Sequence, residues 1–114
     1  MKSAISTIES HVGCIQSAMD IIGNKWTALL LRDLASGPKR FSDFERSICQ
    51  LNPRTLSRRL DDLQEHGIVE VCDSLGGGSH LSYRLTSKGE DLVPVLRKMA
   101  DWGEKYPILR ETVA

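Results

Sequence analysis

The sequence has no excess of charge of either sign, no long hydrophobic run and too few cysteines for a disulfide framework. Its 114 residues carry 15 basic and 15 acidic side chains, so the overall charge gives no argument for nucleic-acid binding. No apolar run approaches the roughly 20 residues that cross a bilayer. Cys14, Cys49 and Cys72 are widely spaced. These absences predict one globular domain with free thiols, located in the cytoplasm and away from membranes.

The sequence also lacks the spacings that define metal and catalytic sites. His11, His66 and His80 are scattered, with neither the Cys-x-x-Cys nor the His-x-x-x-His spacing of a tetrahedral metal site. The glycines at 76–78 are not followed by the Gly-Lys-Ser/Thr sequence of a phosphate-binding loop. No motif brings a nucleophile together with a base. We therefore expect no metal, no cofactor and no enzyme activity.

The charges that are present are segregated along the chain. Residues 37–60 contain six basic side chains and two acidic ones, whereas residues 61–73 contain five acidic side chains and no Lys or Arg. A locally positive surface is therefore predicted, and it ends near residue 60.

Two apolar helices are predicted before this segment. The spacing i, i+3, i+4, i+7 of one helical face is occupied by Ile15, Ala18, Met19 and Ile22. Gly23 ends this helix, and Asn24 is expected to cap the next one. Residues 26–35 are so densely apolar that their helix is expected to be central and buried, and Gly37-Pro38 ends it.

The following two helices have clear start signals. Ser42-Asp43-Phe44-Glu45 matches a capping box and predicts a short helix to about Cys49. Asn52 followed by Pro53 predicts the start of a longer helix, because Asn caps a helix and proline fits its first position. Gly67 is expected to end this helix in the left-handed conformation. Its inner face is formed by Leu56, Leu60 and Leu63.

The last third of the chain predicts a β-ribbon and a terminal helix. Strands are expected at Ile68–Asp73 and Leu81–Leu85, joined by a glycine-rich loop at 74–80. Either Thr86 or Ser87 can cap the terminal helix, and Pro94 is expected to kink it. Its apolar stripe lies beyond a core that is already complete, so we expect the stripe to pair with a second copy of the chain. The stripe comprises Leu92, Leu96, Met99, Trp102 and Tyr106.

Several short motifs together resemble the HxlR family of bacterial regulators. They are Cys14, Asp20–Trp26, Gly37–Phe41, Pro53–Leu60 and Leu85–Gly89. The resemblance implies a dimeric DNA-binding regulator whose α+β fold is mostly α, a winged helix-turn-helix with a two-stranded wing and a C-terminal dimerisation helix. The expected organisation is a mobile segment at 1–13 and one domain at 14–114.

The predicted DNA-binding surface begins at the Asn52-capped helix. Since its leucines face inward, Arg54 and Arg58 point outward, flanked by Thr55 and Ser57, and can reach base edges in a major groove. Arg59 lies closer to the core edge and has either a binding or a structural role. The remaining candidates are expected to contact phosphate or the minor groove: Lys39, Arg40, Ser42 and, in the ribbon loop, His80.

Three alternatives remain open from the sequence. The resemblance implies an oxidant- or electrophile-sensing role for Cys14, whereas a partly buried small residue is the structural alternative. Cys49 and Cys72 are interpreted as packing residues. The function is predicted to be sequence-specific regulation of transcription by a homodimer on an inverted-repeat operator. The competing function is a winged-helix module that binds protein and not DNA. A small-molecule pocket lined by Trp102 and Tyr106 stays open as an alternative to the dimer contact, and the sequence does not identify its ligand.

Overall fold

A computed structural model describes residues 12–73 and 81–108 of the chain. These residues form six helices and three strands, in an order that confirms the mostly helical α+β class. The helices are α1 (Val12–Ile22), α2 (Lys25–Leu34), α3 (Phe41–Ser47), α4 (Pro53–Glu65), α5 (Ser87–Glu90) and α6 (Leu92–Lys105). The strands are β1 (Lys39–Arg40), β2 (Val69–Asp73) and β3 (Leu81–Leu85).

The strands form one antiparallel sheet in the order β1-β3-β2. Strands β2 and β3 pair along their whole length, with Val69 opposite Leu85, and correspond to the predicted ribbon. Strand β1 pairs with the other edge of β3, where Lys39 lies opposite Tyr83. The two-stranded wing therefore has a third strand. Sequence analysis missed it because two residues are too few to show an alternating pattern.

The hydrophobic core lies where α2, α3 and α4 meet the sheet. Six of its side chains are almost completely buried: Phe44, Leu30, Leu31, Leu56, Leu60 and Ile68. Helix α2 is thus the buried central helix that its apolar sequence predicted. The inner leucines of α4 are held by the same core, which fixes the direction of that helix.

Asparagine side chains cap both α2 and α4, as the sequence predicted. Asn24 Oδ1 accepts a hydrogen bond from the backbone N–H of Trp26 at 2.8 Å. Asn52 Oδ1 accepts one from the N–H of Arg54 at 2.7 Å. Pro53 is the first residue of α4, where its missing N–H leaves no hydrogen bond unmade. The position of Arg54 at the start of α4 is therefore fixed locally.

The predicted end of α4 at Gly67 is also confirmed. Gly67 has a φ of 71°, which a residue without a Cβ adopts at little cost. Its N–H donates to the carbonyl of Gln64 at 3.0 Å, and the N–H of Ile68 donates to the carbonyl of Leu63 at 2.9 Å. These two bonds are those of a Schellman motif, and they turn the chain from α4 into β2.

The predicted capping box at Ser42 is wrong. Helix α3 begins at Phe41, so Arg40 is the capping residue and Ser42 is an exposed residue of the first turn. The N–H of Arg40 donates to Asp43 Oδ2 at 2.8 Å, so Asp43 performs the role that the sequence analysis gave to Glu45. The helix also ends at Ser47, before Cys49.

The terminal helix is divided into two parts at Asp91, whose own backbone keeps helical angles (φ −66°, ψ −18°). Thr86 Oγ1 accepts a hydrogen bond from the N–H of Gly89 at 3.1 Å, which makes Thr86 the cap of α5. The helix breaks at Asp91 and resumes as α6. Pro94 explains the break, because its ring has no N–H to offer the carbonyl of Glu90 and would collide with it in a continuous helix.

The apolar face predicted for α1 is only partly covered. Ile22 is buried, but Ile15 and Met19 each keep 47% of their surface exposed. Helix α1 begins at Val12, and most of the segment predicted to be mobile, 1–13, lies outside the described residues. The domain boundary therefore stays a prediction.

Candidate nucleic-acid interface

Helix α4 exposes two arginines on the side opposite its core leucines. Arg54 and Arg58 are four residues apart, hence on one helical face, and both are exposed. Ser57 is exposed beside them and Thr55 is half-buried. The first two turns of α4 therefore present guanidinium and hydroxyl groups to the solvent, as the sequence predicted.

The arginines of α4 differ in their partners. Arg59 Nη1 lies 3.6 Å from Asp62 Oδ2, and its side chain is only 26% exposed. Its Nε is buried and has no hydrogen-bond partner among the described residues. By contrast, the ion pairs of the described residues include neither Arg54 nor Arg58. Arg59 lies at the core edge, whereas Arg54 and Arg58 offer their donors outward.

The charge along α4 changes sign as the sequence predicted. Its first turn contains no acidic residue and its last turn no basic one, and Asp61 and Glu65 are exposed. Burial, and secondarily the charge of Asp61, raise the pKa of Tyr83 above its usual value of 10.0. The Tyr83 phenol on β3 therefore stays neutral at physiological pH. The negative charge of Asp61, in the second half of α4, thus acts on a residue of the sheet.

A second group of predicted residues lies where β1 passes into α3. Arg40 and Ser42 are exposed. Lys39 is half-buried, and its Nζ donates to Ser36 Oγ at 3.0 Å and to the Gly37 carbonyl at 3.4 Å. Arg40 therefore offers the more available positive charge of the two basic residues.

The wing contributes little charge within the described residues. His80 lies in the 74–80 loop, outside the described residues. Arg84 is exposed, but its Nε donates to Glu70 Oε2 at 2.7 Å across the β2–β3 pair. This contact raises the pKa of Arg84 further, first through the hydrogen bond and then through the charge of Glu70. Arg84 therefore stabilises the pairing of β2 and β3.

Two contacts at the far end of α4 were not predicted from the sequence. Lys88 Nζ donates to the carbonyl of His66 at 2.7 Å, and Thr86 Oγ1 donates to the carbonyl of Gly67 at 2.6 Å. Both residues belong to the Leu85–Gly89 motif, from which the sequence predicted a helix cap and a family resemblance but no contact with α4. The only sequence signal was that motif, because each contact joins residues far apart in the chain.

The stripe predicted for dimerisation lies on α6 and is largely uncovered. Leu92 and Leu96 pack partly against the core, whereas Met99 is 49%, Trp102 62% and Tyr106 52% exposed. The rings of Trp102 and Tyr106 lie 5.4 Å apart between centroids. The outer half of α6 therefore presents a preassembled aromatic surface.

The cysteines differ from their predicted environments in part. Cys14 is exposed on α1, which contradicts the partly buried small residue that was its structural alternative. Cys49 is exposed too, so its interpretation as a packing residue is wrong; α3 ends before it, and Cys49 faces the solvent in the turn to α4. Cys72 is half-buried in β2.

The described residues contain neither a cluster of metal-ligating side chains nor a membrane-spanning helix. In residues 12–73 and 81–108, no group of three or more His, Cys, Asp or Glu side chains lies close enough to hold a metal ion. Within the same part of the chain, no helix is long and apolar enough to cross a membrane.

A family model and curated relatives match most of the chain. The model described as HxlR-like helix-turn-helix matches residues 21–110. The uncharacterized HTH-type transcriptional regulator YdeP of Bacillus subtilis (strain 168) is 38% identical over 97 residues, which are 82% of this chain and 74% of YdeP.

Solved structures of redox regulators share the fold. The redox regulator HypR in its reduced form is 33% identical with a TM-score of 0.70, over 80% of this chain and 90% of HypR. The reduced form of the transcriptional regulator YodB from B. subtilis is 29% identical with a TM-score of 0.74, over 84% of this chain and 94% of YodB. The neighbours confirm the winged-helix class for this chain.

Proposed function

The chain belongs to the HxlR-like helix-turn-helix family, and we propose that two copies of it bind an inverted-repeat operator in duplex DNA. It is a DNA-binding transcriptional regulator, as its family and relatives indicate. One observation carries the finer proposal: Arg54 and Arg58 are exposed on one face at the start of α4, and no ion pair of the described residues involves either of them.

In this proposal, α4 enters the major groove by its first two turns. An arginine can donate two parallel hydrogen bonds to guanine O6 and N7, which suits the outward guanidinium groups of Arg54 and Arg58. Thr55 and Ser57 flank them with hydroxyl groups, and Arg59 supports the helix through Asp62. The acidic second half of α4 is repelled by phosphate, so it leaves the groove.

Phosphate contacts are proposed for the start of α3 and for the wing. Arg40 and Ser42 are exposed at the start of α3, where a guanidinium group and a hydroxyl group can donate hydrogen bonds to phosphate. Lys39 joins them only by giving up its hydrogen bonds to Ser36 and Gly37. His80 is the proposed wing contact. These residues position the protein on DNA but do not read the sequence.

Pairing of α6 between two copies is proposed to form the homodimer. The stripe of Leu92, Leu96, Met99, Trp102 and Tyr106 supports it, because so much of its outer half is uncovered in one chain. A two-fold dimer would place two α4 helices in successive major grooves about 34–36 Å apart. The regulator is proposed to act in the cytoplasm and to carry no enzyme activity.

A DNA-binding measurement with matched arginine variants tests this proposal. The probe is a duplex that the wild-type chain selects from a random DNA pool, and affinity is measured by fluorescence anisotropy at several salt concentrations. Arg58→Ala should lose about 1–3 kcal/mol and relax preference at one base position. Arg40→Ala should weaken all sequences alike and reduce the salt slope by about one. Arg97→Ala, an exposed position on α6, is the control and should change neither.

The competing function, a protein-binding module, predicts different results. A module of that kind would select no duplex and would show no steep loss of DNA affinity as salt rises. Equal loss for Arg58→Ala on every sequence would refute base reading, while leaving DNA binding intact.

We further propose that oxidation of Cys14 changes operator affinity. Support comes from the exposure of the Cys14 thiol on α1 and from the structural neighbours named as redox regulators. The test treats wild type, Cys14→Ser and Cys49→Ser with peroxide or diamide and then measures operator binding. Loss of the response only in Cys14→Ser supports the proposal. An unchanged affinity in all three treated proteins would dispose of it.

A further inference from the structure

Helices α4 and α6 are attached to the molecule very differently. Helix α4 buries three leucines, Leu56, Leu60 and Leu63. Helix α6 contains no buried residue and packs against the core only through the partly buried Leu92, Val93 and Leu96. The direction of α4 is thus set by the core, whereas the direction of α6 is set by its partly buried contacts with α2 and the core and by the segment from which it begins.

That segment, Thr86–Glu90, is fastened to the end of α4. Lys88 Nζ donates to the His66 carbonyl at 2.7 Å. Thr86 Oγ1 donates to the Gly67 carbonyl at 2.6 Å, and the Thr86 N–H donates to the Ile68 carbonyl at 3.0 Å. The ammonium group of Lys88 lies at the negative end of α4, where a positive charge is favoured. Three consecutive carbonyls at the end of α4 are therefore held by two residues.

Gly89 makes the attachment close as well as bonded. A Cβ at this position would lie 2.2 Å from the Ile68 carbonyl oxygen, a distance that no side chain tolerates. Helix α5 thus rests directly on the backbone that follows α4, with no side chain between them. The side-chain hydrogen bonds of Lys88 and Thr86 join the same two segments.

We propose that Lys88, together with Thr86, is a positioning residue that fixes the angle between α4 and α6 and thereby sets the half-site spacing that the dimer accepts. The inference rests on the proposed homodimer. Helix α6 has 14 residues and is therefore about 21 Å long. A tilt of about 10° at its base moves its far end by roughly 4 Å, close to the rise of one base pair. A small change at this attachment is thus large enough to change the preferred spacing.

The test compares spacing profiles of Lys88 variants. Lys88→Met keeps the aliphatic chain but removes the donor, Lys88→Arg restores a positive donor, and Ser87→Ala is an exposed neighbouring control. The DNA probes are the duplex selected by the wild-type chain, versions with one base pair added or removed between half-sites, and a single half-site. If Lys88→Met does not fold by circular dichroism, Lys88→Gln replaces it.

For wild type, Lys88→Arg and Ser87→Ala, we expect one added or removed base pair to cost roughly tenfold or more in affinity. For Lys88→Met we expect a loss of less than about threefold, with half-site affinity within about twofold of wild type. An unchanged spacing profile in Lys88→Met overturns the inference. So does an equal loss on the half-site and the full operator, because that pattern indicates only a folding role. If the wild-type chain selects no inverted repeat, the proposed homodimer is wrong. This outcome is seen with the wild-type chain alone, so it is distinct from a failure of the Lys88 inference, which only the variants reveal.

Discussion

The central body of the protein and its terminal helices differ in how much of their apolar surface a single chain buries. In the body, formed by α2, α3, α4 and the sheet, Leu30, Leu31, Phe44 and Leu56 are all 0% exposed. On α1 and α6, large apolar side chains remain 43–62% exposed, with Trp102 at 62%. One chain therefore buries the interior of the body, although Val71 and Leu81 on the sheet stay exposed, whereas α1 and α6 keep much of their apolar surface uncovered.

This difference separates two properties that a regulator needs. The shape of the DNA-binding surface follows from folding of a single chain, since α4 is held by a finished core. The distance between two such surfaces follows from how the terminal helices assemble. Substitutions in the two regions should therefore affect different measurements.

The largest effect is expected from emptying the core of the body. Phe44→Ala should lower the free energy of unfolding by about 3–5 kcal/mol, because it removes a fully buried aromatic ring and leaves a cavity. Trp102→Ala, diluted until the chain is monomeric, should change it by no more than about 0.5 kcal/mol. Urea denaturation followed by circular dichroism gives both values. Similar losses in the two variants would remove the distinction between the regions.

A smaller effect, on assembly and not on folding, is expected at the exposed stripe of α6. Trp102→Glu would place an unpaired charge in the proposed interface and should weaken self-association by about 2 kcal/mol or more, roughly 30-fold. Sedimentation velocity across a micromolar concentration series measures this. Arg97→Glu introduces the same charge elsewhere on α6 and should leave self-association nearly unchanged. A wild-type chain that stays monomeric in this range would contradict the assignment.

The smallest effect is expected at the helix caps, where it sharpens the comparison within the body. Asn24→Ala and Asn52→Ala each remove a side-chain acceptor at a helix start, and each should cost about 1 kcal/mol of stability. Only Asn52→Ala should also weaken binding to the selected duplex, because Asn52 orders the turn that carries Arg54. Thermal unfolding and anisotropy on both variants test this pair. Equal affinity losses would mean that the start of α4 has no special role.

The features that could be predicted from the sequence are those fixed by neighbouring residues. Asn52, Pro53 and Gly67 define both ends of α4, because each interaction spans only a few residues. The outward direction of Arg54 and Arg58 followed from helical periodicity once the inner leucines were identified. The main features of the candidate interface were therefore accessible without a structure.

The features that were missed depend on distant partners or on competition between neighbours. Strand β1 exists only because β3 pairs with it, and the Lys88–His66 contact joins two separate elements. Helix α3 starts at Phe41 and not after Ser42, because the Asp43 carboxylate accepts the hydrogen bond of the Arg40 N–H. At Cys49 the expected burial failed because the end of α3 was placed too late. Patterns among neighbouring residues do not determine these features of the structure.

The charge order along α4 has a consequence for engineering. An α-helix is stabilised by acidic side chains at its start and basic ones at its end, yet α4 has no acidic residue in its first turn and no basic residue in its last. A laboratory screen for heat resistance alone would thus favour a carboxylate in place of Arg54 and an amine in place of Glu65. Such a screen would select proteins of higher thermal stability and, where Arg54 is replaced, of lower affinity for duplex DNA.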